Sequence, residues 1–314
     1  MRGMTSPLVA ITTYFNPCRY QTRRQNYERF VAGLRQQGVT LLTLECAFPG
    51  QEFELAPQLG VIQMRCDSLV WQKERLLNLA ASYLPASCQY VAWLDCDILF
   101  NNSKWASELC GLLQHYPIAQ VFERCLRLDA SGLAEAEPAA QSFASVMRSK
   151  PDALAAQRYD VHGHTGYGWA MHKSIFDEVG LYEGAISGSA DHFMAHAIFN
   201  HYGFCIENAL KHDPLQIMHL KLWGERFYQH TRGQLACVSG EIHHLWHGDL
   251  KNRRYFLRMH EITDLGYNPF ADILSLPGQA LSWAEHDAKP ALKNYFYDYF
   301  ANRFEDGEQA QDTP

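Results

Sequence analysis

The sequence predicts an α/β fold with a mixed, mostly parallel central sheet flanked by helices. The first 46 residues read strand, helix, strand, and short apolar runs then keep alternating with segments of helical spacing. Composition agrees. Of 314 residues, 47% are hydrophobic and 19% charged, which supports a sizeable core and excludes a disordered chain. The length suits one large domain or two small ones.

Leu8-Val9-Ala10-Ile11-Thr12-Thr13 is a strand, ended by the turn signal Asn16-Pro17. Tyr27, Phe30, Val31 and Leu34 share one face of a helix over 22–37, which Gly38 stops. A second strand follows over 39–46, and strands joined by a helix run parallel. Further along, 61–66 is a strand and 69–84 a helix stopped by Pro85. Tyr90 to Leu94 is a buried strand, 105–115 a helix and 118–124 a strand. The stretch 132–156, rich in Ala, Ser and Pro and weakly periodic, reads as a surface excursion or a mobile loop, part of it helical. A short helix spans 173–179, and another runs over 190–202, opening near Asp191. The segments 204–206 and 216–218 read as short strands, and 249–262 as a basic amphipathic helix. Residues 1–264 form the expected main domain. In 265–314 the spacing of Trp283, Tyr295, Phe296, Tyr299 and Phe300 predicts a helical extension, packed on the core or on a second subunit, with a frayed polar tail.

Lys+Arg 27 against Asp+Glu 34 leaves a net charge of −7. That argues against a general binder of nucleic acid or anionic membrane, although a basic cluster stands at 251–258. The nine cysteines fall singly, without a CxxC pair. Reduced, buried thiols in a cytoplasmic protein are the expectation, not a disulfide framework or a zinc ribbon. The first residues lack the apolar region of a signal peptide, and no run of ~20 apolar residues predicts a transmembrane segment.

The sharpest feature is Tyr90-Val91-Ala92-Trp93-Leu94-Asp95-Cys96-Asp97-Ile98-Leu99-Phe100. Two carboxylates interrupt an apolar run. An unpaired buried charge is costly, so they belong at a strand end, facing water, a metal or a cation. Side chains two apart on extended chain point the same way, so Asp95 and Asp97 can converge on one hard divalent cation. In open α/β sheets ligands bind at the carboxyl ends of strands, where this pair falls. A solvated turn is the plainer alternative.

From this point the chain resembles the GT-A glycosyltransferases, a nucleotide-diphospho-sugar transferase family of DxD type. The likeness covers roughly residues 8–260 as an order of parts: the βαβ start, a polar helix, the Asp95-Cys96-Asp97 motif, a Gly/aromatic segment with a downstream carboxylate, and late histidines. It implies a GT-A-like single domain that moves a sugar from a UDP- or GDP-type nucleotide-sugar to an acceptor hydroxyl, with Mn2+ or Mg2+ as cofactor. Asp97 would bind the metal directly, and Asp95 the ribose or the metal. Thr12, Thr13 and Tyr14 would border the nucleoside. Trp71, Arg75 and Asn78, spaced i, i+4, i+7 on one helix, would read the donor with Lys73 beside them. Gly166, Tyr167, Gly168, Trp169 and His192 would border the sugar or acceptor. Asp191 stands where inverting members place the carboxylate that deprotonates the acceptor. The usual pattern there is Glu-Asp, whereas this chain has Ala190-Asp191. In Ile242-His243-His244-Leu245-Trp246-His247-Gly248, His247, with His244 as the alternative, would be the third metal ligand. Lys251 and Arg254 would meet the leaving diphosphate. The acceptor (glycan, protein, small molecule or modified nucleobase) and the oligomeric state stay open.

Three rivals are weighed. His192 and His196 have the i, i+4 spacing of a zinc hydrolase, but Phe193 stands where HExxH has its glutamate. A nucleotidyltransferase would also use paired aspartates and a metal. A non-catalytic nucleotide-sugar-binding module would keep the fold without the chemistry. Gly163-x-x-Gly166-x-Gly168 is not a dinucleotide fingerprint, and there is no P-loop.

Overall fold

In the computed structural model, which describes residues 7–135, 138–156, 158, 161–255, 257–284 and 289–308, the chain begins with β1 (Leu8–Tyr14), buried along its whole length. Helix α1 (Gln21–Gln36) returns it to β2 (Leu41–Ala47), and β3 (Val61–Arg65) and α2 (Lys73–Ser82) follow. Next come β4 (Tyr90–Leu94), β5 (Ile98–Phe100), α3 (Trp105–Leu112), β6 (Ile118–Gln120), β7 (Arg124–Arg127), β8 (Ala140–Gln141) and α4 (Phe143–Ser149). The middle of the chain forms β9 (Gly168–His172), α5 (Lys173–Val179), α6 (Ala190–Ala197), α7 (Gly203–Asn208) and α8 (Pro214–Thr231). The last part holds β10 (Ala236–Cys237), β11 (Glu241–His244), α9 (Arg258–Asp264), β12 (Ile273–Leu274), β13 (Ser282–Trp283) and α10 (Pro290–Ala301).

The main sheet has the order β10-β6-β9-β4-β1-β2-β3. Its pairs are parallel except those of β9, which runs antiparallel to both β4 and β6. Alternation along the strands gives the sheet two apolar faces. Val9 and Ile11 of β1, with Val91 and Trp93 of β4, face one cluster, completed by Leu76 and Leu77 of α2 and Phe193 of α6. Leu8, Ala10, Tyr90, Ala92 and Leu94 face the other, completed by Phe30 and Leu34 of α1 and Trp105 of α3. A second sheet, β5-β11-β7-β8, stands at one end. Residues Leu292, Phe296, Tyr299 and Phe300 of α10 join the first cluster. Among the described residues no helix is long and apolar enough to cross a membrane, and all nine cysteines are free.

Several expectations from sequence are corrected. Segments 204–206 and 216–218 lie in helices α7 and α8, not strands. The overlooked signal is Asp213-Pro214: the Asp213 side chain accepts from Gln216 N, and Pro214 fills the first turn. The expected strand 118–124 divides into β6 and β7, which belong to different sheets. Residues 132–156 are ordered where described, with β8, α4 and a 3₁₀ turn over Pro151–Ala156. The expected helix 249–262 is broken at Arg254, whose φ of 50° is left-handed. The helix expected from 69 begins at Lys73, and that expected to reach 202 ends at Ala197.

Candidate functional site

Strand register builds the site. The carboxyl ends of β1 and β4 lie side by side, and Thr12 Oγ1 donates to Leu94 O at 2.7 Å. The chain then turns through Asp95-Cys96-Asp97. Asp95 N donates to Tyr167 O at 2.8 Å, and Leu245 N donates to Asp97 O at 2.8 Å. β5 pairs antiparallel with β11 so that Ile98 stands opposite His244. A histidine distant in sequence is thereby held beside Asp97. These elements line a cleft of about 880 Å³, part of it open to solvent.

Asp97 faces two imidazoles. Its Oδ2 is 3.4 Å from His247 Nε2 and its Oδ1 is 3.8 Å from His244 Nε2, while the two Nε2 atoms are 2.9 Å apart. Asp97 Oδ1 is buried without a hydrogen-bond partner among the described residues. Burial, then the neighbouring Asp95 charge, push the Asp97 carboxyl up to about 7. Burial holds both histidines neutral, with pKa values well below the ordinary imidazole range. These donors fit one divalent cation, since ligands at about 2.1 Å from an ion stand about 3 Å apart. A carboxyl oxygen without a partner facing two neutral imidazoles is a donor set that suits a divalent cation.

The other carboxylates share a lysine. Lys73, at the start of α2, places Nζ 2.6 Å from Asp95 Oδ1 and 2.9 Å from Asp191 Oδ2. Burial opposes the ammonium charge, but Asp191 and Asp95 outweigh it and hold Lys73 well above its usual range. Burial raises the Asp191 carboxyl, and Lys73 opposes that rise. Glu74, also on the cleft wall, is pushed by burial up to about 8.

A basic wall stands opposite. Glu305 accepts from Arg23, Arg253 and Arg303 at 2.7–3.0 Å; Glu305, Arg253 and Arg303 are buried and Arg23 is partly so. Burial opposes the Glu305 charge, yet the three guanidiniums hold its carboxyl well below the usual range. Arg253 also donates to His247 O. Arg258 donates to Ser189 Oγ and Tyr299 Oη, and both Arg258 and Arg303 border the cleft. Trp71 closes one end, stacked on Phe300 at 9° with 6.4 Å between ring centres. Its Nε1 is buried without a hydrogen-bond partner among the described residues.

The structure brings Thr12, Thr13, Trp71, Lys73, Asp95, Asp97, Gly166, Tyr167, Asp191, His244 and His247 to this cleft. Other expected site residues lie elsewhere. Asp95 is engaged by Lys73 rather than grouped with Asp97, because residues 95–97 form a turn and not extended chain. Arg75 donates to the carbonyls of Leu276 and Gln279, and Asn78 is bonded to Leu181 and Glu183. Both point away from the cleft toward Glu183, and Trp71 is not on their face because α2 begins after it. Tyr14 packs on Tyr27 and bonds Glu54. Trp169 is wholly buried core, with Nε1 donating to Thr165 O. Gly168 serves the sheet: a Cβ there would meet Leu94 Cδ2 and Val121 Cγ2 at 2.8 Å. His192 faces a buried histidine cluster. Lys251 is exposed with Asp249 and Glu308, and Arg254 pairs with Glu261. Arg253, Arg258 and Arg303 were missed, since nothing in spacing ties residue 303 to a strand end near residue 95.

No protein-family model and no curated protein matches the sequence. Solved structures that it matches include Drosophila β1,4-galactosyltransferase 7 in complex with manganese, UDP-Gal and xylobiose, at 14% identity and TM-score 0.34, over 60% of this chain and 59% of that one. This chain therefore spans about three fifths of that galactosyltransferase chain. A glycosyltransferase involved in glycosylation of the major capsid of PBCV-1 matches at 10% identity and TM-score 0.30, over 92% and 98% of the two chains. The 4-diphosphocytidyl-2C-methyl-D-erythritol synthase of Anaerococcus prevotii matches at 9% identity and TM-score 0.34, over 62% and 84%. Both glycosyltransferases and nucleotidyltransferases are thus among the loose structural likenesses, and at these scores the functional reading rests on the cleft alone.

Proposed function

We propose that this chain is a divalent-cation-dependent glycosyltransferase. It takes a sugar from a UDP- or GDP-type nucleotide-sugar and passes it, with inversion, to an acceptor hydroxyl. The observation that supports this most is Asp97 Oδ1, a buried carboxylate oxygen without a partner among the described residues, facing two neutral imidazoles beside a wall of arginines. Asp97, His244 and His247 would hold Mn2+ or Mg2+. When bound, the cation supplies Lewis-acid neutralisation of the diphosphate leaving group.

The chain's own residues do the rest. Arg258 and Arg303 present positive charge where the anionic leaving group would lie. Trp71 offers an indole N–H to the donor at the end of the cleft. Asp191 takes the acceptor hydroxyl proton as that oxygen attacks the anomeric carbon and the bond to the diphosphate oxygen breaks on the opposite face. Burial, which strengthens its hold on a proton, suits it to act as a base, and Lys73 keeps it placed.

The test is a nucleotide-sugar panel with Mn2+, scored for nucleoside diphosphate release with and without candidate acceptors. Release that needs the metal and is lost in Asp97→Ala is the expected result. Formation of a nucleoside triphosphate and a sugar 1-phosphate when pyrophosphate is supplied in place of an acceptor would instead indicate a nucleotidyltransferase. Full activity of Asp97→Ala would sink the metal assignment.

A further inference from the structure

A second cluster of potential ligands lies outside the cleft. His162, His192 and His196 are all buried, at 1%, 3% and 0% exposure, and a nitrogen of each lies within 4.8 Å of the others. None of the three borders the cleft. His192 and His196 sit one turn apart on α6, and His162 reaches them from the loop before β9. We propose that these three histidines bind a Zn2+ ion.

Tautomers support this. His162 Nδ1 is 2.9 Å from Gly163 O, and His196 Nδ1 is 2.9 Å from His201 O. A carbonyl only accepts, so both Nδ1 atoms carry the proton and both Nε2 atoms keep a lone pair. This carbonyl-backed arrangement is what metal-binding histidines usually show. His196 Nε2 is buried without a hydrogen-bond partner among the described residues.

Ring spacing supports it too. The centres of His162 and His192 are 5.4 Å apart, those of His162 and His196 5.4 Å, and those of His192 and His196 4.5 Å. With Zn–N lengths of about 2.1 Å and tetrahedral angles, three imidazole centres around one zinc stand about 5 Å apart. The surroundings are apolar, with Phe143 and Phe204 against the rings. Burial keeps His192 and His196 neutral, the state a metal needs, with His196 pushed down to about 3. Three imidazoles with a fourth position for water or hydroxide is a set that zinc uses. Imidazole-only donors select against Mg2+ and Ca2+, which take oxygen ligands.

Such an ion would clamp two walls of the cleft from behind. Asp191 precedes His192 on α6, and His164, which stacks on Tyr167 with 4.0 Å between ring centres, follows His162 by two residues.

The experiment measures metal content rather than turnover, so it stands apart from the glycosyltransferase reading. Full-length wild type, Asp97→Ala and the double variant Asp97→Ala/His196→Gln are stripped with a chelator. They are then loaded with Zn2+, desalted and analysed by elemental mass spectrometry. One equivalent of zinc is expected in Asp97→Ala, with a raised melting temperature, and its loss in the double variant. Asp97→Ala without stoichiometric zinc overturns the proposal and leaves an aromatic packing cluster. Zinc retained by the double variant overturns it as well. If the double variant does not fold, Co2+ loaded into Asp97→Ala decides. Intense visible absorption of tetrahedral cobalt supports the site, and the faint absorption of octahedral cobalt refutes it.

Discussion

Replacing Glu305 with Gln tests whether one carboxylate holds the basic wall together. Glu305 is 2% exposed and accepts four N–H groups: Nε and Nη2 of Arg23 at 2.9 and 3.0 Å, Nη1 of Arg253 at 3.0 Å and Nε of Arg303 at 2.7 Å. Glutamine keeps the shape but offers one carbonyl oxygen and turns an NH₂ toward guanidiniums that can only donate. Two buried cations, Arg253 and Arg303, and the partly buried Arg23 lose their shared counter-charge. Removing one partner of a buried ion pair costs about 3–5 kcal/mol. At roughly 2–4 °C per kcal/mol, the melting temperature at pH 7 should fall by about 6–20 °C. The pH dependence follows from the depressed carboxyl. Its folded pKa lies well below the unfolded value of 4.5, so its stabilisation is complete above that value and disappears as pH falls toward the folded pKa. Calorimetric melts of both proteins should therefore converge on acidification. A variant that melts within about 1 °C of wild type at pH 7, or a gap that does not narrow in acid, would refute the reasoning.

Other substitutions probe separate parts. Asp191→Asn leaves Lys73 paired with Asp95, so nucleotide should still raise the melting temperature in Mn2+, while turnover falls by about 10²–10⁴-fold. Glu74 carries the opposite sign from Glu305. Burial raises its pKa from 4.5 to about 8, so the folded state binds a proton that the unfolded state has lost, and stability declines as pH rises through that window. Glu74→Gln should thus gain in melting temperature over wild type at pH 8, with no gain at pH 4. Gly163→Ala forces a Cβ to 2.7 Å from Ser142 O at φ +80° and should destabilise the chain by about 1–3 kcal/mol, read by urea unfolding.

The parts of the fold that could be read from sequence are those with local signals. β1, α1 and β4 announced themselves by apolar periodicity and by Asn16-Pro17, Gly38 and the acidic stop at Asp95. A helix running from residue 69 would carry Trp71 on the same face as Arg75 and Asn78. With α2 starting at Lys73, Trp71 lies before the helix: Trp71, Lys73 and Glu74 reach the cleft, while Arg75 and Asn78 turn together to Glu183. Likewise, alternation cannot reveal that β5 and β11 pair, so the choice between His244 and His247 was undecidable until register set both against Asp97. The arginines were out of reach for another reason. Arg23, Arg253 and Arg303 meet at Glu305 only through tertiary packing, and no local pattern marks a surface arginine from a buried one.

Charge balance in the cleft shows what kind of ligand suits it. Asp95 and Asp191 share Lys73, leaving that corner one negative charge in excess. Asp97 faces only neutral imidazoles. The opposite wall has the reverse imbalance, because three arginines share one glutamate and Arg258, which also borders the cleft, adds a fourth positive charge. A lone anion would satisfy the arginines but repel Asp97, and a lone cation would satisfy Asp97 but crowd Arg253, which touches His247. A cation and an anion entering together satisfy both. A divalent metal bound to a diphosphate has that composition, and the two imbalances meet at His247, which touches Asp97 on one side and Arg253 on the other.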